Sequence, residues 1–332
     1  MALPLVRQQP WYPGQMGVDG SDVSRGLRWE PTGIVLYVDE NHPNTSGATD
    51  GTDPENPLNS VQTAITRLTS FVTSTSTSLE GSVIVVANEA TIAETVIIPT
   101  TAPQHCTLLG AAQGADAPTW TAATATGIAL TIQQRGWTIE GFRFVAGAGG
   151  QCIRLDRTAT LAAHRTIIRN NYFDGAYTGL YGINFNGAPA SVQIYNNEFH
   201  EFTRGNTTAY AIYSSESGEA NPYMCVFANN RFWENENHIG NNAAIHGYNL
   251  CLFQGNVFHE GLLIAATNIL DLRGGTLGKN IVTGNVFSGD YSNTGGYYAN
   301  AVSPGNWVGN IAEDVLAAEV ADNGFTIAVP AV

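Results

Sequence analysis

Ile194-Tyr195-Asn196-Asn197-Glu198-Phe199-His200-Glu201 and Phe227-Ala228-Asn229-Asn230-Arg231-Phe232-Trp233-Glu234 share one pattern: an apolar residue, two asparagines, then a phenylalanine two places ahead of a glutamate. With that phenylalanine as reference, it recurs as Phe144, Phe173, Phe199, Phe232, Phe258 and Phe287, at intervals of 29, 26, 33, 26 and 29 residues. Asn171, Asn197, Asn230, Asn256 and Asn285 stand two before it, and Asn310 continues that column. One position earlier is always glycine or asparagine (Gly141, Asn170, Asn196, Asn229, Gly255, Gly284, Gly309), the residues that accept positive φ at least cost. Five before the reference lie Ile139, Ile168, Ile194, Phe227, Phe253 and Val282; seven before it, Trp137, Thr166, Val192, Cys225 and Cys251. Those two columns share parity, so both point to one side of a strand.

Self-similarity at such a period marks stacked units, each burying its apolar face on the next. An inward strand runs into a left-handed residue, the chain turns, and an asparagine sits at the corner. Stacked about 4.8 Å apart, asparagine amides donate to one rung and accept from the next, which satisfies polar groups the corner would otherwise strand. A second strand in each turn is expected at Ile128–Leu130, Ile153–Leu155, Ile183–Phe185, Ile212, Ile245 and Leu270–Leu272. Unequal intervals place insertions of different length at other corners. The pattern predicts an all-β chain: a right-handed single-stranded parallel β-helix of about eight coils, with an N-terminal capping helix and an extended N-terminal arm.

Residues 1–32 form the expected anchoring arm, with Pro4, Pro10, Pro13 and Pro31 among Trp11, Tyr12 and Trp29 and no strand or helix period. Residues 33–80 hold an opening strand (Ile34–Asp39), a polar loop and an amphipathic helix, on which Val61, Ala64, Ile65, Leu68 and Val72 form one stripe. Asn59 with Gln62 approximates a capping box, and a helix here suits the open end of a solenoid. The β-helix proper spans 81–311. Residues 312–332 break the repeat and are expected to form a C-terminal cap or intersubunit clasp.

The segments Val83-Ile84-Val85-Val86, Glu94-Thr95-Val96-Ile97-Ile98-Pro99 and Cys106-Thr107-Leu108-Leu109-Gly110-Ala111, with Tyr37-Val38-Asp39, Asp50-Gly51-Thr52 and Ala64-Ile65 before them, resemble the first turns of the pectate-lyase-like right-handed parallel β-helix superfamily. The likeness runs over about residues 34–311 and is greatest to phage virion and tailspike-type β-helix proteins. The superfamily includes polysaccharide lyases, polygalacturonases and tailspikes, so the resemblance implies a fold more than an activity. Neither the Arg-x-Pro-x-x-Arg of pectate lyases nor the Asp-Asp and Gly-His-Gly of polygalacturonases is present; His246-Gly247 follows Ile245 instead.

Charged residues make up 13% of the chain, about half the usual share, and acids outnumber bases 28 to 14, for a net charge of −14. Such a field opposes nucleic acid and anionic lipid as partners. The first residues lack a cationic stretch followed by an apolar one. Together with the resemblance, this sets the expectation of a structural virion protein of a bacteriophage, a capsid decoration or spike. It is expected to be homotrimeric, held to other virion proteins through residues 1–32, with an extracellular location as the alternative. The alternative activities are a tailspike-type polysaccharide depolymerase or lyase and a non-catalytic adhesin for host surface glycan. Cys106, Cys152, Cys225 and Cys251 show no metal-ligand spacing and read as buried free thiols.

Three positions invite chemistry. Glu201, Glu234 and Glu260 follow the reference phenylalanine by two in successive coils, as a pair for acid/base work on a glycosidic bond would. His200, Trp233 and His259 lie between as a glycan-stacking set. The plainer reading of the same glutamates is a solvated turn in an acidic protein. Asp39, Asp50 and Asp53 in the polar loop are candidates for a structural calcium ion, although EF-hand spacing is absent; no other cofactor is expected. Tyr210, Tyr213, Tyr223, Tyr248, Tyr291, Tyr297 and Tyr298 suggest an exposed contact surface. Glu198 and Arg231 should pair between rungs.

Overall fold

One turn of the chain runs Gln193–Tyr195, the corner Asn196-Asn197, Glu198–His200, and then Tyr210–Ser214. Each strand pairs in parallel with its counterparts one turn before and one turn after. Repetition of this unit gives three parallel sheets: sheet A of ten strands, sheet B of nine and sheet C of seven. The protein is therefore a parallel β-solenoid. These facts come from a computed structural model that describes residues 33–75, 79–157, 163–187, 189–203, 208–215, 222–242, 247–259, 268–272, 280–288 and 307–312. Among the described residues seven turns contribute to all three sheets, so the expected eight coils are slightly off. The arm at 1–32, and the C-terminal segment beyond Ala312, lie outside the described residues.

The interior is a ring stack. Trp120 begins it at 5.4 Å from Phe144, and Phe144, Phe173, Phe199, Phe232, Phe258 and Phe287 follow with centroids 4.6 to 5.3 Å apart and nearly coplanar faces. At the A–B corner every expected left-handed residue has positive φ, from 54° to 81°. The asparagine behind it is buried. Asn197 accepts from Asn171, Asn230 from Asn197, Asn256 from Asn230, Asn285 from Asn256 and Asn310 from Asn285, each time from both the backbone N–H and the side-chain amide. Phe142 holds the first rung and donates its N–H to Asn171.

A second left-handed column, not foreseen, turns the chain into sheet A: Gly81, His105, Gly136, Arg165, Ser191, Met224 and Leu250. Only two of these are glycine, so composition did not reveal it. The sheet C register also differs from expectation. Leu130, not Ile128, aligns with Ile153, and Ile239 takes the rung beyond Ile212; Ile245 lies outside the described residues. Tyr248 corrects the expected surface as well. It is fully buried, with its ring edge toward Phe227 and Phe253 and its hydroxyl donating to the Gly240 carbonyl. Tyr291, Tyr297 and Tyr298 lie outside the described residues. All four cysteines are buried free thiols.

Helix α1, Val61–Thr75, packs Val61, Ala64, Ile65 and Leu68 onto the first turn as a lid. Its N-terminus is not closed by the Asn59–Gln62 box. Ser60 accepts the Thr63 N–H, and the Glu94 carboxylate, reaching from the first coil, takes the N–H groups of Val61 and Gln62 at 3.0 Å each. Gln62 instead accepts from Ile97 N–H and ties the lid to sheet C. Among the described residues no helix is long and apolar enough to cross a membrane.

Candidate functional site

On each strand of sheet B the phenylalanine points inward, so its two neighbours face out. In successive rungs this sets Arg143, Tyr172, Glu198 and Arg231 in one outer column and Asp174, His200, Trp233 and His259 in the other. The rings form a continuous series: Tyr172 to His200 at 4.8 Å, His200 to Trp233 at 5.4 Å, Trp233 to His259 at 5.7 Å. Arg143 lies over the Tyr172 ring at 5.5 Å while its guanidinium pairs with Asp174 at 2.9 Å. Glu198 pairs as expected with Arg231 at 3.5 Å, and lies 3.6 Å from His200. Trp233 is 49% exposed, far more than a tryptophan usually leaves in water.

Sheet B ends at a corner where Glu201 and Glu234 take φ of 59° and 51°. The physical reason repeats the asparagine corner. The residue after each turns inward, and Asn235 accepts the Phe202 N–H while its amide donates to the Phe199 carbonyl. The glutamate side chains are thereby turned outward. Tyr177, from the preceding coil, reaches them: its phenol donates to Glu234 at 3.2 Å, and it also bonds Glu201. Its backbone N–H donates to the Glu201 carbonyl, a close approach that Gly175 permits, since a Cβ there would lie 2.4 Å from that same oxygen. The Glu201 hydrogen bond, followed by a little burial and the charge of both glutamates, pushes the Tyr177 phenol up to about 12. The phenol therefore stays a donor at any physiological pH.

Glu201, Glu234, Trp233, His200 and His259 thus share one flank, as the spacing implied; Glu260 lies outside the described residues. Tyr172 and Tyr177 were not singled out from the sequence. Tyr172 sits one before a reference phenylalanine, a position whose outward direction was legible; Tyr177 follows a corner insertion with no period to betray it. A separate tyrosine stack stands on the outer face of sheet C, with Tyr213 4.8 Å from Tyr181 and 4.5 Å from Tyr210.

The loop acids are not brought together. Asp39 accepts from Asn41 N–H, Asp50 from Thr52, and Asp53 from Glu55 N–H and the Asn56 amide, so each carboxylate closes its own turn. Among the described residues no group of three or more His, Cys, Asp or Glu is placed to hold a metal ion.

No family model and no curated protein matches the sequence. Among solved structures, the chain is similar to an alginate lyase from Paenibacillus sp. str. FPU-7, with a TM-score of 0.40 and 14% identity over 72% of this chain and 97% of that one. It is also similar to a GH136 lacto-N-biosidase from Eubacterium ramulus, with a TM-score of 0.31 and 13% identity over 91% of this chain and 70% of that one. These likenesses concern the fold alone.

Proposed function

We propose that this chain is a glycan-binding β-solenoid that holds a saccharide along the outer face of sheet B. The observation that carries this reading is the exposed Trp233 within an unbroken ring series, flanked by the Tyr177–Glu201–Glu234 cluster. Rings offer apolar faces to the C–H surface of a sugar, and carboxylates beside a phenol donor orient its hydroxyls. A chain lying along the solenoid axis meets one ring per coil, every ~4.8 Å. The setting expected for such a protein is the surface of a bacteriophage particle, for which mass spectrometry of purified particles is the test.

The test of binding is retention of the full chain on a panel of immobilised polysaccharides, compared with Trp233→Ala and Tyr177→Phe. Wild-type retention that drops at least tenfold in Trp233→Ala, at unchanged melting temperature, supports the proposal. Equal retention of both proteins, or none by wild type, overturns it. A depolymerase is a second reading, favoured by one observation. Glu201 and Glu234 both act on the Tyr177 phenol, so two carboxylates stand side by side on this flank, as the acid/base work of glycoside cleavage requires. Release of reducing ends or unsaturated sugars, lost in Glu201→Gln or Glu234→Gln, separates that reading from binding alone.

A further inference from the structure

Sheet A carries a row of a different kind. Val226, Leu252 and Ile281 occupy one outward column in three successive coils, each opposite in parity to the buried Phe227, Phe253 and Val282. Ile281 is 49% exposed. At the corner leading into the sheet, Met224 and Leu250 hold equivalent places and are 54% and 41% exposed, with Tyr223, 39% exposed, beside them. Both Met224 and Leu250 have φ of 53°, a left-handed conformation that residues other than glycine adopt only at a cost. The same corner in other coils uses glycine, which avoids the strain, or a polar residue such as Arg165 or Ser191, which is solvated. Long apolar side chains there have neither advantage. A contiguous exposed apolar row marks a contact surface.

We propose that this stripe is the face through which the chain associates with further copies of itself, solenoids side by side. Two observations choose that occupant. The chain carries a net charge of −14, so copies repel unless they meet where charge is lacking. The outward residues of sheet A in these coils, Val226, Ala228, Leu252, Gln254, Ile281 and Thr283, include no charged side chain. Sheet B in the same coils keeps the charged Arg231 beside Trp233 and His259, and earlier coils of sheet A bear the Glu140–Arg169 pair, so the uncharged patch is confined to these coils of sheet A. Second, the stripe runs along the solenoid axis, one residue per coil. A symmetry axis parallel to the solenoid brings such a row against its own image at equal height. Val, Leu, Ile and Met offer no side-chain donors to a sugar, so this face is not an extension of the glycan flank.

Light scattering on the full chain over a range of concentrations is the test. Wild type is expected to be oligomeric, and a Met224→Gly, Leu250→Gly double variant, which relieves the positive φ while deleting the apolar contacts, is expected to fall to the mass of one chain with its far-UV spectrum unchanged. Ile281→Glu is expected to act likewise. Oxidised Ile281→Cys is expected to give covalently linked pairs, because equal heights meet. A wild type that is monomeric throughout, glycine and Glu variants that keep the wild-type mass, or an Ile281→Cys chain that links to no second copy overturns the proposal.

Discussion

Asn197 places its side-chain oxygen 3.0 Å from the backbone N–H of Asn171 and 3.1 Å from the amide nitrogen of the same residue. Its own amide reaches the carbonyls of Ile168 and Tyr195 and the oxygen of Asn230. One side chain therefore satisfies groups on three coils, all in a corner sealed from water. Asn197→Ala would strand the Asn171 N–H and the buried Ile168 carbonyl together, at about 1–3 kcal/mol for each group not rescued by water, while the Asn171 amide keeps the Ile139 and Arg169 carbonyls. The expected loss is about 4 kcal/mol by urea denaturation. Asn310, the last described rung, accepts from Asn285 and donates to the Val282 carbonyl but, among the described residues, to no further rung, and Asn310→Ala should cost less. Equal costs at both rungs would show that the ladder is not the stabilising unit.

The lid depends on a contact with the body. Glu94 supplies both carboxylate oxygens to the first two N–H groups of α1, a charged cap at the positive end of the helix. Glu94→Ala is expected to cost about 2 kcal/mol, Glu94→Gln about half that, since the amide keeps one acceptor. Hydrogen exchange should localise the effect: amides of 61–65 gain exchange while the Phe173–Phe258 coils do not. Uniform loss of protection along the solenoid would contradict this.

Phenylalanine, asparagine and the left-handed residue at the A–B corner were legible because each is chemically demanding: few residues fill a ring stack, bridge two rungs or tolerate positive φ. The other corners were not, because the neighbouring coils impose the conformation on whatever residue is present, Arg165 and Met224 among them. The same holds for the site. Glu201 and Glu234 were visible as a column, yet their left-handed backbone and the Tyr177 bridge were not, since Tyr177 lies 57 residues from Glu234 in an unpatterned insertion. The Asp39, Asp50 and Asp53 set was ambiguous in the sequence because short acids serve turns as readily as cations.

Tyr177→Phe removes one hydroxyl that holds two carboxylates. With the phenol at about 12, its proton stays in place to well past pH 10, so glycan retention by wild type should be flat from pH 7 to 10. The variant should retain glycan some three- to tenfold less tightly, the worth of about one hydrogen bond, with unaltered melting because the residue is solvent-exposed. Wild-type retention that falls between pH 9 and 10 would show that a group other than this phenol governs the flank.

His238 sits in the core against Phe232 and Phe258, with the Asn235 amide 3.2 Å from Nδ1 and no partner for Nε2 among the described residues. Burial, then the nearby His259, hold its imidazole down at about 3, against an ordinary 6.5. A folded-state value below the unfolded one means that the unfolded chain takes up the proton first. Stability is therefore complete above about pH 6.5 and falls as pH drops toward 3, by up to ~1.4 kcal/mol per pH unit for this one proton. His238→Leu removes both the titration and the unpartnered nitrogen while keeping a similar volume. The variant should match or exceed wild type at pH 7, by about 1 kcal/mol, and the gap should widen steadily from pH 6 to pH 4. Urea midpoints that track each other in parallel across that window would mean that acid sensitivity resides elsewhere.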